Sequence, residues 1–221
     1  MIDAKLLDPK IIQRHAWNIY SQNGEDGVLA YLISLYDCRK TCVEIGGNLD
    51  PLGNPECNTA NLIANGWKGV IYDVQEIRHP WFRRREVVIE NVQATVPAGT
   101  GVLSIDVDGN DYWLWKQIVS PQPEIVVIEY NSMAPAIGVM PYDPKFRWDG
   151  TDYFGAGWAA MYQLGTQKGY ELVFITAALN MFFVRRDLIS KKLEYGGLAY
   201  GPVVRHPTDR SGRLYDMIGG V

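Results

Sequence analysis

Short apolar runs alternate along this chain with segments whose apolar residues recur at helical spacing, the pattern of a parallel α/β sheet. The spacing predicts a helix near residues 10–20. A second helix is expected over Glu25 to Leu35, where Val28, Leu29, Leu32, Ile33 and Leu35 form one apolar face that must lie on something apolar. The first strand fits Thr41 to Ile45. A helix from about Asn58 to Asn65 follows, with Asn58 as its cap and Gly66 as its stop. Further strands fit Gly69 to Val74, Glu86 to Val92 and Gly101 to Val107, and Asn110 opens a helix through about Val119. Pro121 and Pro123 then break the chain before a fifth strand, Ile125 to Tyr130, whose Ile-Val-Val-Ile run suits burial on both faces.

A long loop carrying Pro135, Pro141 and Pro144 comes next, and loops of that length are uncommon unless they carry function. A helix from about Asp152 to Lys168 is expected to end at Gly169. Tyr170 to Thr176 and Met181 to Arg185 lie close enough in sequence to pair as an antiparallel hairpin. Together these elements predict an α/β, Rossmann-like fold with a seven-stranded, mostly parallel sheet, an antiparallel C-terminal hairpin and helices on both faces. No repeat or linker divides the chain, so residues 1–221 are expected to form one domain. Within it, residues 1–40 would supply helices over the binding site, and residues 132–150 and 196–221 would supply substrate-side loops.

A hydrophobic share of 47% and a charged share of 21% belong to a chain that buries a real core. The formal net charge of −4 argues against a nucleic-acid binder, which carries a clustered basic footprint. The one basic run, Arg83 to Arg85, is short enough to be a solvated face. No apolar run approaches the roughly 18 residues of a membrane span, so no membrane span is expected. The N-terminal stretch MIDAKLLDPKIIQRH lacks the apolar core of a signal peptide, and the expected location is cytoplasmic. Cys38, Cys42 and Cys57 are odd in number and specify no disulfide framework. Neither they nor His15, His79 and His206 have zinc-ligand spacing, so the thiols are expected to be reduced and structural.

Two constellations carry candidate chemistry. The first is the turn in VEIGG, Val43 to Gly47. In doubly wound sheets, ligands bind beyond the carboxyl ends of the strands. Gly46 and Gly47 let the backbone bend there and approach a ligand closely. Asn58 and Thr59 lie at the start of the next helix, where free N–H groups favour a carboxylate. Asp73 ends the second strand, where an acid can accept both hydroxyls of a ribose. Glu44 would orient either the ligand's amino end or the glycine turn. A nicotinamide site is disfavoured because no G-x-G-x-x-G spacing is present. The order of glycines, helix start and acid therefore favours a nucleoside-bearing ligand over a plain turn with a surface acid.

The second constellation is LSIDVDGNDYW, Leu103 to Trp113. Asp106 and Asp108 alternate with Val107, so both are expected on one face. The fifth strand ends in IEYN, which would place Glu129 and Asn131 beside them. Asp106, Asp108, Glu129 and Asn131 make an oxygen-rich set suited to Mg²⁺ or Mn²⁺, and they equally suit the orientation of substrate hydroxyls or a helix cap. Aromatic residues crowd the same rim. Most should be core packing, and those of the proline-rich loop, among them Phe146 and Trp148, are candidates for a substrate wall. His206 lies in the polar stretch VVRHPTDRSGR, where an imidazole would either remove a hydroxyl proton or serve a structural role.

With these residues in hand, the chain resembles the FkbM-like methyltransferases. The resemblance runs from Tyr20 to about Leu188 and is carried by YSQNGEDGVL (Tyr20 to Leu29), VEIGG, CNTANLIANGWKGVIYDVQ (Cys57 to Gln75) and SIDVDG (Ser104 to Gly109), with EYN and NMFFVRRDL also similar. SIDVDG has Asp108 where the family's IDVEG signature has Glu, and GGNLDPLGNPECNT is longer than the family's usual loop. The resemblance implies a class I methyltransferase fold and the cofactor S-adenosyl-L-methionine. It implies O-methylation of a sugar, glycan or related small molecule. By position it places Gln22, Glu25 and Asp26 near the methionine end of the cofactor and Glu44, Gly46, Asn58 and Thr59 in the cofactor loop. Asp73 would hold the ribose, and Asp106 and Asp108 would flank the transferred methyl. The proton acceptor would be Asp108, Glu129 or His206. Two rivals remain at this point: a metal-dependent glycosyltransferase using Asp106-Val107-Asp108 as a D-x-D motif, and a non-catalytic cofactor-binding module.

Overall fold

Strands whose side chains are apolar on both faces can be satisfied only in the middle of a layered molecule. The computed structural model describes residues 1–49, 55–120, 122–177, 179–193 and 205–218. In it, five parallel strands form most of one sheet: β1 (Thr41–Ile45), β2 (Lys68–Asp73), β3 (Phe82–Arg84), β4 (Val102–Ile105) and β5 (Ile125–Glu129). A two-residue strand, β6 (Gly138–Val139), lies apart from them. The main sheet is completed by β7 (Tyr170–Thr176) and β8 (Asn180–Arg185), and its order is β3-β2-β1-β4-β5-β8-β7. The hairpin passes first to the edge as β7 and then returns, so that β8 fills the gap antiparallel to both β5 and β7. The sheet is therefore mostly parallel with an antiparallel end.

Period-two alternation sorts the strand residues between two cores. Val43, Ile45, Leu103, Ile105, Val126 and Ile128 face a cluster containing Leu114 and Trp115 of α5 (Asp111–Gln117) and Ala160 and Met161 of α6 (Trp158–Gln167). Cys42, Val102, Ile125 and Val127 face the opposite cluster. That cluster holds Ile12 of α1 (Pro9–Gln13), Val28, Leu29 and Leu32 of α2 (Glu25–Ser34) and Leu62 of α3 (Ala60–Ala64). Glu44, Ser104 and Glu129 share the parity of this second set, which puts polar side chains on the sheet face covered by α1, α2 and α3. Trp115 is fully buried, with its ring 4.8 Å from that of Phe183 and 5.6 Å from that of Tyr170. The three cysteines are buried free thiols. Among the described residues, no helix is long and apolar enough to cross a membrane.

Several elements differ from expectation, each for a local reason. The third strand lies at Phe82–Arg84, not Glu86 to Val92. Phe82 is the residue that buries against the sheet, in a small cluster with Ile71 and Cys57, and Arg83 and Arg84 stay exposed as suits an edge strand. Past it, Asn91 turns the chain: its Oδ1 accepts the Val88 N–H and its Nδ2 donates to the Glu86 carbonyl, leading into α4 (Val92–Thr95). The first helix stops at Gln13, because Asp26 Oδ2 gathers the N–H groups of Ile19, Tyr20 and Ser21 into a loop. The helix expected from Asp152 begins only at Trp158. Here the Asn131 amide donates to the carbonyls of Asp152 and Phe154, and Gly157 packs so closely on Pro135 that a Cβ would sit 2.0 Å from its carbonyl oxygen.

Candidate functional site

The carboxyl ends of β1, β2, β4 and β5 open into a cavity of about 640 Å³. Its position follows from topology. The chain leaves β1 toward β2 and β3, then crosses back to β4, so the crevice between β1 and β4 is the switch point where α/β sheets bind ligands. Gly46 sits at that point with φ +81°, and a Cβ there would lie 1.6 Å from the Asp106 carbonyl oxygen. Its N–H donates to the Tyr72 carbonyl, and the Asp106 N–H donates to the Ile45 carbonyl, both at 2.8 Å. These two bonds pin the ends of β2, β1 and β4 together just beneath the cavity. Gly47 also lines it, as does half-buried Asp73, whose Oδ1 accepts the Gln75 N–H at 2.6 Å.

On the other side of the switch point, Asp106, Asp108 and Glu129 each bring a carboxylate oxygen within 4.8 Å of the other two. Simple alternation does not unite them, because β4 ends at Ile105 and Asp108 has φ +56°, a left-handed conformation that is unusual outside glycine. Asp111 sets that turn. Its buried carboxylate accepts the N–H groups of Val107 at 2.8 Å and Gly109 at 2.9 Å, and burial still raises its carboxyl to about 6. Crowding raises the others as well. Asp106 and Glu129 are lifted well above the carboxylate range, first by burial and then by their acidic neighbours. Asp108, exposed to the cavity, is lifted by desolvation, Glu56 and Asp73, with His206 opposing. Glu129 is 6% exposed, and its Oε2 has no hydrogen-bond partner. This donor set fits a hard divalent cation, which prefers oxygen ligands and offsets their repulsion.

The walls come from loops. Gln22 reaches in from the N-terminal side and donates to Glu56 Oε1. Phe146, Arg147 and Trp148 descend from the proline-rich segment, held by a reciprocal clamp in which Asn110 Nδ2 donates to the Asp143 carbonyl and Asn110 Oδ1 accepts the Asp143 N–H. His206 lines the mouth, with its N–H on Asp152 Oδ1 and its ring 4.8 Å from that of Trp148. The short sheet of β6 and β9 (Asp216–Met217) ties the C-terminal segment to the proline-rich one. Residues 194–204, the start of the expected C-terminal substrate loop, lie outside the described residues.

Eight of the expected site residues thus line one cavity: Gln22, Gly46, Gly47, Asp73, Asp106, Asp108, Glu129 and His206. Six others lie outside that lining and are engaged in hydrogen bonds within the chain. Glu25 accepts the Asn23 N–H, the Thr176 hydroxyl and the Asn180 amide, and Asp26 holds the 19–21 turn. Asn58 donates its side chain to Ser104 Oγ, and Thr59 donates both N–H and hydroxyl to Glu44. Asn131, 1% exposed, donates its amide to Asp152, Phe154 and Tyr215, accepts the Met133 N–H at Oδ1 and does not line the cavity. Glu56 and the stretch Arg85 to Val88 were not foreseen in the site. The first lies in the long glycine-rich loop, and the second carries the alternation of a strand.

Glu44 is fully buried and accepts the Asn58 N–H at 2.6 Å, the Thr59 N–H at 2.9 Å and the Thr59 hydroxyl at 2.7 Å. It therefore shapes the turn behind the cavity. Burial pushes its carboxyl up to about 7 from an ordinary 4.5, and the Thr59 and Asn58 bonds oppose the rise. The folded chain then holds a proton that the unfolded chain has released, so this group's contribution to stability falls as pH rises from about 4.5 through about 7. The expected loss is on the order of 3 kcal/mol. Urea unfolding of wild type and Glu44→Gln at about pH 5 and about pH 8 checks this, with the variant giving the flatter profile. Equal slopes would show that Glu44 ionises alike in both states.

No protein-family model matches the chain, and no curated protein is detectably similar to it in sequence.

Proposed function

We propose that the chain is an FkbM-like, S-adenosylmethionine-dependent O-methyltransferase that acts on a hydroxyl of a sugar, glycan or related small molecule. One observation carries the reading: the Gly46 bend at the topological switch point, with the Asp73 carboxylate on the next strand and the Asp106, Asp108 and Glu129 cluster on the opposite side of one cavity. That arrangement provides a nucleoside half and a reaction half. The sheet order, with β8 inserted between β5 and β7, and the motifs at β1, β2 and β4 support the class I methyltransferase reading. When bound, the cofactor supplies an electrophilic methyl group on a sulfonium.

The chain's own residues supply alignment and proton removal. Asp73 would accept the ribose hydroxyls, Gly46 and Gly47 would allow close backbone approach, and Gln22, which lines the same cavity, would meet the methionine end. The acceptor would lie between Asp108 and the wall of Trp148 and His206. Asp108, which faces the cavity, would take up the acceptor's hydroxyl proton as the methyl group is transferred. Glu129 and Asp106 line the cavity beside it.

The paired Asp106 and Asp108 carboxylates also favour a second reading, a metal-dependent glycosyltransferase, in which Gly46 and Asp73 have no part. Calorimetry separates the two. S-adenosylhomocysteine is expected to bind, and a uridine diphosphate sugar with Mn²⁺ is not; the reverse result would sink the methyltransferase reading. A screen of glycosides and polyketides with methyl-labelled cofactor then defines the acceptor class, and transfer to amines or proteins alone would overturn O-methylation.

A further inference from the structure

We propose that Asp106, Asp108 and Glu129 form a seat for one hard divalent cation, Mg²⁺ or Mn²⁺, whose open coordination positions face the cavity. The proximity of the three acids is the first observation: one oxygen from each lies within 4.8 Å of the others. Such proximity by itself marks only an acidic cluster. The second and independent observation is that Glu129, a cavity-lining residue only 6% exposed, has a buried carboxylate oxygen, Oε2, with no hydrogen-bond partner. Leaving such an oxygen bare costs its full desolvation penalty, so a buried acceptor of this kind calls for a partner. Among the described residues the partner is not a cationic side chain. Arg39, Arg147, Arg185, Arg186 and Arg213 make ion pairs with other acids, and none of those pairs reaches the three carboxylates.

Charge supports the same conclusion. The cavity is lined by six carboxylates, from Glu56, Asp73, Glu86, Asp106, Asp108 and Glu129, against the guanidiniums of Arg85 and Arg147. Arg147 pairs with Glu86 at 2.8 Å, and Arg85 donates to Thr95 Oγ1. Among the described residues, Asp106, Asp108 and Glu129 make no ion pair. The geometry is also built rather than incidental. Asp111 closes the turn that holds Asp108 in a left-handed conformation, and this sets the Asp108 carboxylate opposite Glu129. Three carboxylates, one oxygen each, fill about half of an octahedral shell, and the rest is left to water or acceptor oxygens.

The cation seat deepens the O-methylation reading but does not depend on it, so the two can be tested apart. The free-Mn²⁺ paramagnetic resonance signal is followed as the purified protein is titrated, with wild type, Asp108→Asn and Glu129→Gln in parallel. Wild type is expected to take up one Mn²⁺ per chain. Both variants should bind about tenfold more weakly or worse, since even an outer partner of a metal ligand costs that much. Asp108 is exposed to the cavity, so Asp108→Asn is expected to fold and keeps the test decisive if Glu129→Gln does not. Absence of saturable uptake, or uptake unchanged in Asp108→Asn, overturns the seat. Calorimetry with S-adenosylhomocysteine on the same samples distinguishes the two failures. Cofactor binding without Mn²⁺ uptake removes the cation alone, and Mn²⁺ uptake without cofactor binding removes the methyltransferase reading alone.

Discussion

Asp73→Ala is expected to weaken S-adenosylhomocysteine binding about 100-fold or more, without unfolding the protein. The size follows from what the carboxylate does. It stands at the end of β2, half-buried on the cavity wall, one strand from the Gly46 bend. Under the proposed function this carboxylate would accept two ribose hydroxyls in charge-assisted bonds, each worth about 1.5–3 kcal/mol, and alanine would accept neither. Among the described residues its carboxylate accepts only the Gln75 N–H, in an exposed turn, so the cost to stability is small, about 1 kcal/mol. Asp73→Asn keeps one acceptor oxygen and should fall between the two. Calorimetry reads the affinities and urea unfolding reads the stability. Unchanged affinity in Asp73→Ala would place the nucleoside elsewhere and remove the basis of the proposed function.

The fold was legible in the sequence wherever alternation and helical spacing were strong. β1 and β7 match their expected bounds, because Thr41–Ile45 and Tyr170–Thr176 are apolar runs with a clear break at each end. β3 was not legible: one buried residue, Phe82, holds it, and the better alternation of Glu86 to Val92 belongs to a cavity wall that never pairs. The site was legible for residues that end strands, since topology alone delivers Asp73, Asp106 and Glu129 to one rim. It was not legible for Glu25, Asp26, Glu44, Asn58, Thr59 and Asn131. A buried acid near a glycine turn looks the same in sequence whether its N–H partners belong to the backbone or its oxygens face a ligand. Glu44 shows the difficulty well. The donors expected for a ligand carboxylate, the Asn58 and Thr59 N–H groups, are taken by the protein's own carboxylate. The turn that presents Asp108 depends on Asp111, whose role shows only once the chain has folded back on itself.

Gly46→Ala is expected to be the most damaging single-methyl addition in the site, and Gly66→Ala supplies the comparison that explains why. The two glycines have nearly the same conformation, with φ +81° at Gly46 and +87° at Gly66. An L-residue in the left-handed region costs about 1–2 kcal/mol, so this term is common to both. The surroundings differ. A Cβ on Gly66 meets nothing within 4 Å, whereas a Cβ on Gly46 falls 1.6 Å from the Asp106 carbonyl oxygen and 2.6 Å from its carbonyl carbon. Those atoms are backbone, and they are fixed by the Asp106 N–H bond to the Ile45 carbonyl. No rotamer change relieves the clash. The end of β4 has to move away from β1, breaking that bond and carrying the Asp106 carboxylate out of line with Asp108 and Glu129. Urea unfolding should therefore show a loss of about 1–2 kcal/mol for Gly66→Ala and more than about 4 kcal/mol for Gly46→Ala. Where Gly46→Ala still folds, its Mn²⁺ uptake and S-adenosylhomocysteine affinity should fall together, because one carbonyl lies beneath both halves of the cavity. Equal losses of stability in the two variants would mean that β1 and β4 separate freely at their carboxyl ends, and a pinned strand junction would then not be what aligns the site.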